Sequence, residues 1–112
     1  MNIQITHESD TIVTTLSGKL NSDTAPQLEE RLMLLTKPPQ GHLIIDCGEL
    51  DYISSAGLRV VLALSRQYTP STWALCMCGL QAHVLEVFEM SGFDNFVSIQ
   101  NDLDSARKII CP

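Results

Sequence analysis

Apolar residues recur along this chain with two periods, and the switches between them predict the order of its elements. Ile3 and Ile5 alternate with polar neighbours, and so do Ile12, Thr14 and Leu16, so both stretches read as strands. His7-Glu8-Ser9-Asp10 between them reads as the turn of an N-terminal hairpin, and Gly18 breaks the second strand. Asn21-Ser22-Asp23-Thr24 is rich in helix-capping side chains, and Pro26 suits a first helical turn. Leu28, Leu32 and Leu35 follow at helical spacing until Lys37-Pro38-Pro39-Gln40-Gly41 stops the helix.

Leu43-Ile44-Ile45 is a continuous apolar run, the mark of a strand buried on both faces. A loop through Gly48 is expected to lead to Tyr52-Ile53 and Ser54-Ser55, followed by a helix running to about Tyr68. Trp73 to Cys78 reads as another strand, and Gly79 precedes a helix carrying Val84, Leu85 and Phe88. Gly92 suits the left-handed position after that helix. Phe96 to Ile99 reads as a short strand, and Asp102 as the cap of a last helix with Leu103, Ala106, Ile109 and Ile110. The order β-β-α-β-α-β-α-β-α predicts an α/β domain over residues 1–112. Its sheet of four to five strands is mostly parallel, with an N-terminal β-hairpin, right-handed crossovers and about four packed helices.

Composition narrows the function. A net charge of −6, with no local run of Lys or Arg, excludes the basic footprint that nucleic-acid binding needs. Met1 to Thr6 has no basic segment followed by an apolar stretch, and no segment is long enough to span a bilayer. The expectation is a cytoplasmic protein with no membrane association. Cys47, Cys76 and Cys78 lie in or beside apolar runs, where free cysteine packs as a small hydrophobe. With Cys111 they match no usual zinc spacing, so neither metal nor cofactor is expected.

Candidate chemistry gathers beyond the carboxyl ends of the strands, where the loops Gly18 to Thr24, Gly48 to Ser55 and Gly79 to Gln81 are expected to meet. Ser54 and Ser55 place two hydroxyls directly before a helix, whose free N–H groups favour an anion. Either serine also serves as an ordinary N-cap. On a wheel of 100° per residue, Leu58, Val61, Leu64 and Tyr68 form the core face. Arg59 and Arg66 fall near Ser55, with Ala56, Val60, Ala63 and Gln67 just beyond, an expected solvent face with two arginines and no acid. That face reads as a docking surface. Asp46 and Asp51 bracket the loop and are read as hydrogen-bonding its backbone. His7, His42 and His83, expected in a turn, at a strand start and on a helix, have no Ser or Cys partner. No Gly-x-Ser-x-Gly, GxxxxGK[ST] or GxGxxG motif is present, so no enzyme is expected.

The run Asp46-Cys47-Gly48-Glu49-Leu50-Asp51-Tyr52-Ile53-Ser54-Ser55-Ala56-Gly57-Leu58 closely resembles the signature of the anti-sigma factor antagonists, the STAS domain family. Leu16-Ser17-Gly18-Lys19-Leu20-Asn21 resembles that family's second strand and following loop, and Val87 to Phe93 the end of its third helix. The resemblance implies partner switching. The unphosphorylated antagonist binds an anti-sigma factor that is also a serine kinase and thereby frees a sigma factor. Phosphorylation separates the pair, and a serine phosphatase resets it.

Aligned through Gly57, the acceptor falls on Ser55, with Ser54 beside it as the alternative where the family often has Asp. Asn21 likewise replaces a common Asp. The partner-binding set implied is Asn21, Ser22, Ser54, Ala56, Arg59, Val60, Ala63 and Arg66, on a monomer or weak dimer. Arg59, one turn beyond Ser55, is spaced to pair with a phosphate. The alternative function is a non-phosphorylated accessory STAS subunit of a transport or sensing complex.

Overall fold

The computed structural model describes residues 1–110; Cys111 lies outside the described residues. Strand β1 (Asn2–Glu8) turns back at once into β2 (Thr11–Leu20), with Glu8 opposite Thr11. His7 and Glu8 are therefore strand residues and the turn is only Ser9-Asp10, with Ser9 in the left-handed region at φ 55°. Helix α1 (Ala25–Thr36) leads to β3 (His42–Ile53), α2 (Ser55–Tyr68), β4 (Leu75–Cys78) and α3 (Ala82–Ser91). A short 3₁₀ turn (Phe93–Asn95), β5 (Ser98–Gln100) and α4 (Leu103–Ile110) complete the chain. Gly92 ends α3 at φ 77°, a left-handed conformation that glycine adopts without steric cost.

The five strands lie in sequence order, β1 antiparallel to β2 and the others parallel. Because each crossover moves one place in the same direction, a single hand puts α1, α2 and α3 on one face of the sheet. There Leu28, Leu32, Val61, Leu64, Val84 and Phe88 pack on Ile12, Leu16, Leu43, Ile45 and Met77. Helix α4 alone covers the other face, laying Ala106 and Ile110 on Val13, Ile44, Cys76 and Cys78. Arg107 of α4 forks onto Glu8 at 2.8 and 3.1 Å and ties that layer to the hairpin.

The expected loop through Gly48 is instead strand. β3 continues to Ile53, paired with β2 to its last residue, and Gly18 lies within β2 at φ 101° rather than ending it. The pairing slips twice, between Thr15 and Ser17 and between Gly18 and Lys19, each time with an extra residue on β3. The buried residues of this half are Cys47, Leu50 and Ile53, spaced by three. Bulges replace the period of two with a period of three, which hid the strand from a reading by alternation. β4 and β5 are also shorter than expected: Trp73 and Phe96 precede their strands, Trp73 set edge-on to His42 at 5.0 Å.

Candidate functional site

The ends of β2 and β3 converge where α2 begins. Ser54 N–H donates to the Leu20 carbonyl at 2.9 Å, which anchors the helix start to the end of β2. Ser54 is extended (φ −98°, ψ 175°) and its Oγ accepts from Gly57 N–H at 3.3 Å, so Ser54 is the N-cap. Ser55 is the first helical residue. It is exposed, and its hydroxyl makes no hydrogen bond among the described residues. Ser55, the expected acceptor, and Ser54, its alternative, thus have different situations.

Gly57 explains why the first turn sits so low on the sheet. A Cβ there would lie 2.8 Å from Ile53 Cγ1 and from Leu20 Cγ, both in buried residues. Beside the helix start, the β2–α1 turn is folded by Asn21. Its Oδ1 accepts from the N–H groups of Asp23 (2.9 Å) and Thr24 (3.1 Å), while Thr24 Oγ1 donates to the Lys19 carbonyl at 2.7 Å. Asn21 is thus occupied in shaping the turn, whereas Ser22 is exposed at its tip.

The solvent face drawn from the wheel needs correction at Val60. Val60 is buried, only 4% exposed, and Ala56, Ala63 and Gln67 are half-buried. The cause is α1, which lies alongside α2 and widens its covered arc, something one helix considered alone cannot show. Between the helices runs a groove. Near Ser55 it holds a cavity of about 250 Å³ with Ser22, Ala25, Pro26 and Glu29 on one wall and Ala56, Arg59 and Val60 on the other. Further along, Glu30, Met33, Lys37 and Gln67 line a second hollow. Arg59 and Arg66 are exposed and form no ion pair among the described residues. Arg66 stands in the last turn of α2, about 16 Å along the axis from Ser55.

Away from this groove, Asp46 Oδ1 accepts from Gly48 N–H at 3.2 Å, as expected of a backbone contact. The Asp51 carboxylate instead meets the Gln81 side-chain amide at 3.4 Å, and that amide also donates to the Gly48 carbonyl at 3.1 Å. His83 Nε2 contacts the Asp51 carbonyl at 2.5 Å, and His42 Nδ1 accepts from Ala74 N–H at 3.0 Å. These contacts hold the start of α3 against β3, and β4 against β3; a sequence reading for catalytic pairs passes over them. Cys47 faces α1 to α3 while Cys76 and Cys78 face α4. Burial pushes all three thiols up, Cys78 to about 12 with help from the nearby Asp46 charge. Among the described residues no group of three His, Cys, Asp or Glu is placed to hold a metal ion.

The site is thus set on a five-stranded sheet with three helices on one face, with a serine opening the helix after a bulged central strand. The STAS domain family model matches residues 2–106, and the chain belongs to that family. It is 41% identical over 95 residues to a Bordetella bronchiseptica protein with the provisional name anti-sigma factor antagonist BtrV, covering 85% of this chain and 82% of that one. It is 28% identical over 104 residues to the anti-sigma-B factor antagonist of Listeria monocytogenes, covering 90% and 91% of the two chains. Among solved structures, the anti-sigma factor antagonist SpoIIAA in its unphosphorylated form superposes with a TM-score of 0.81 at 17% identity, covering 96% of each chain. No helix among the described residues is long and apolar enough to cross a membrane.

Proposed function

We propose that this chain is a partner-switching anti-sigma factor antagonist whose phospho-acceptor is Ser55. Unphosphorylated, it binds an anti-sigma factor that is also a serine kinase; phosphorylated, it is released, and a serine phosphatase returns it to the binding form. It is substrate and ligand, not catalyst, so ATP, metal and catalytic base belong to the kinase. It works in the cytoplasm as a monomer or weak dimer.

The observation that carries the assignment is the division between the two serines. Ser54 spends its hydroxyl on the Gly57 N–H, while Ser55 presents an exposed hydroxyl, without a hydrogen bond among the described residues, next in sequence to Ala56 of the α1/α2 cavity. A kinase needs a hydroxyl it can surround. The BtrV and Listeria relatives support the pathway, and a solved structure of phosphorylated SpoIIAA, TM-score 0.75 at 16% identity, shows that this fold accommodates phosphorylation in that protein. A phosphate of about two negative charges beside the groove would repel a partner whose docked surface is desolvated. Ser22, Ala56 and Arg59 supply that docking surface near Ser55, with buried Val60 only flooring the cavity and Ala63 and Arg66 extending the surface along α2.

The test is phosphorylation by the cognate kinase and ATP, with the site located by mass spectrometry. One phosphate on Ser55 in the wild type, retained in Ser54→Ala and lost in a folded Ser55→Ala, is expected. Full labelling of Ser55→Ala would sink the assignment. Absence of labelling in every form, with the kinase active on another substrate, would favour the accessory-subunit alternative.

A further inference from the structure

Resting on Ser55 as the acceptor, we infer that Arg59 is the counter-ion of the phosphorylated serine, and that the phosphate withdraws Arg59 from the α1/α2 groove. One observed spacing and two general properties of helices place it. Ser55 and Arg59 are four residues apart on α2, so their side chains stand one above the other on the same face, about 5–6 Å apart at Cβ. Helical side chains tilt toward the helix N-terminus, so the guanidinium reaches back toward Ser55 rather than away from it. An anion N-terminal to a cation at this spacing is also the more favourable order of the two.

The guanidinium is uncommitted. Arg31 spends a guanidinium nitrogen on the Ile3 carbonyl at 3.0 Å and Arg107 is forked onto Glu8, but Arg59 has neither hydrogen bond nor ion pair among the described residues. Glu29 lines the same cavity and is its competing acid, yet the two form no salt bridge. A phosphate dianion offers more charge and a geometry that matches the planar fork of arginine, so it outcompetes a single distant carboxylate.

Arg59 is the one cation lining that cavity among the described residues. Drawn back over a phosphate, it leaves Glu29 as the only charged residue lining that cavity among the described residues. Phosphorylation therefore changes the docking surface twice, by adding negative charge and by cancelling the positive charge beside it. A partner segment that presents a carboxylate to Arg59 loses its contact at the same step.

The experiment uses full-length protein carrying phosphoserine at position 55, incorporated during synthesis so that no kinase is needed. Its second phosphate ionisation is followed by ³¹P NMR. Arg59 favours the dianion, so the wild type should titrate about 0.3–0.5 pH unit below Arg59→Gln, with Arg59→Lys in between. The difference should shrink in about 1 M salt. Arg66→Gln, beyond a Debye length, should match the wild type. Identical titration of wild type and Arg59→Gln, both folded by circular dichroism, would overturn the inference. Because the phosphate is installed without the kinase, that result would overturn the Arg59 pairing and leave the acceptor assignment standing, whereas a failure of kinase labelling at Ser55 would remove the premise itself.

Discussion

Replacing Gly57 with alanine tests how the site is built. Ala is the better helix former, by up to about 1 kcal/mol in a helix interior. On propensity alone Gly57→Ala should stabilise α2. The structure predicts the opposite. The new Cβ would sit 2.8 Å from Ile53 Cγ1 and Leu20 Cγ and 3.0 Å from Leu20 Cδ2. Carbon atoms prefer about 3.5 Å or more, so the first turn must rise by about 0.7 Å or two buried side chains must leave their rotamers. Overpacking of this kind costs about 1–3 kcal/mol, leaving a net loss centred on about 1 kcal/mol after the propensity gain.

For a domain of this size that corresponds to a Tm about 4–8 °C lower. The same movement stretches the Ser54 to Leu20 bond and shifts Ser55, so phosphorylation efficiency should fall about tenfold or more. Urea denaturation followed by circular dichroism gives the first quantity and kinase kinetics the second. Gly48→Ala is the control, because its Cβ would meet only Asp46 Oδ1 at an ordinary 3.5 Å. A Gly57→Ala protein as stable as the wild type would refute the close-packing argument.

Three further outcomes are expected. Thr14 Oγ1 is buried with no hydrogen-bond partner among the described residues, so Thr14→Val should raise stability by about 1 kcal/mol in urea denaturation; a loss would mean that the hydroxyl is satisfied. Ser54→Ala should cost about 1 kcal/mol as a lost cap, whereas Ser54→Asp, which also accepts from Gly57 N–H, should cost less. Tyr68 is raised from its ordinary 10 to about 12 by burial, and Cys78 from 9 to about 12. Both folded values exceed the unfolded ones, so above pH 9 the unfolded chain binds fewer protons and stability falls as pH rises toward 12. Tyr68→Phe should flatten that fall above pH 10 in denaturant midpoints; an unchanged slope would remove Tyr68 as its cause.

The order of strands and helices was legible in the chain because the first three helices announce their stops: Lys37-Pro38-Pro39 after α1, Pro70 after α2, Gly92 after α3. The serine pair before a helix was legible as well, since capping is local chemistry. Tertiary structure decided what depends on neighbours distant in sequence. The bulged half of β3 is a strand only because β2 pairs with it, and no alternation of its own residues signals that. Val60 is buried because α1 lies against it, so a wheel of α2 alone placed it in solvent. Which serine is spent as the cap and which hydroxyl remains free was likewise settled by three-dimensional contact. The Leu20 carbonyl and the tight packing of Gly57 fix where the first turn begins, and a one-residue difference there exchanges the roles of Ser54 and Ser55.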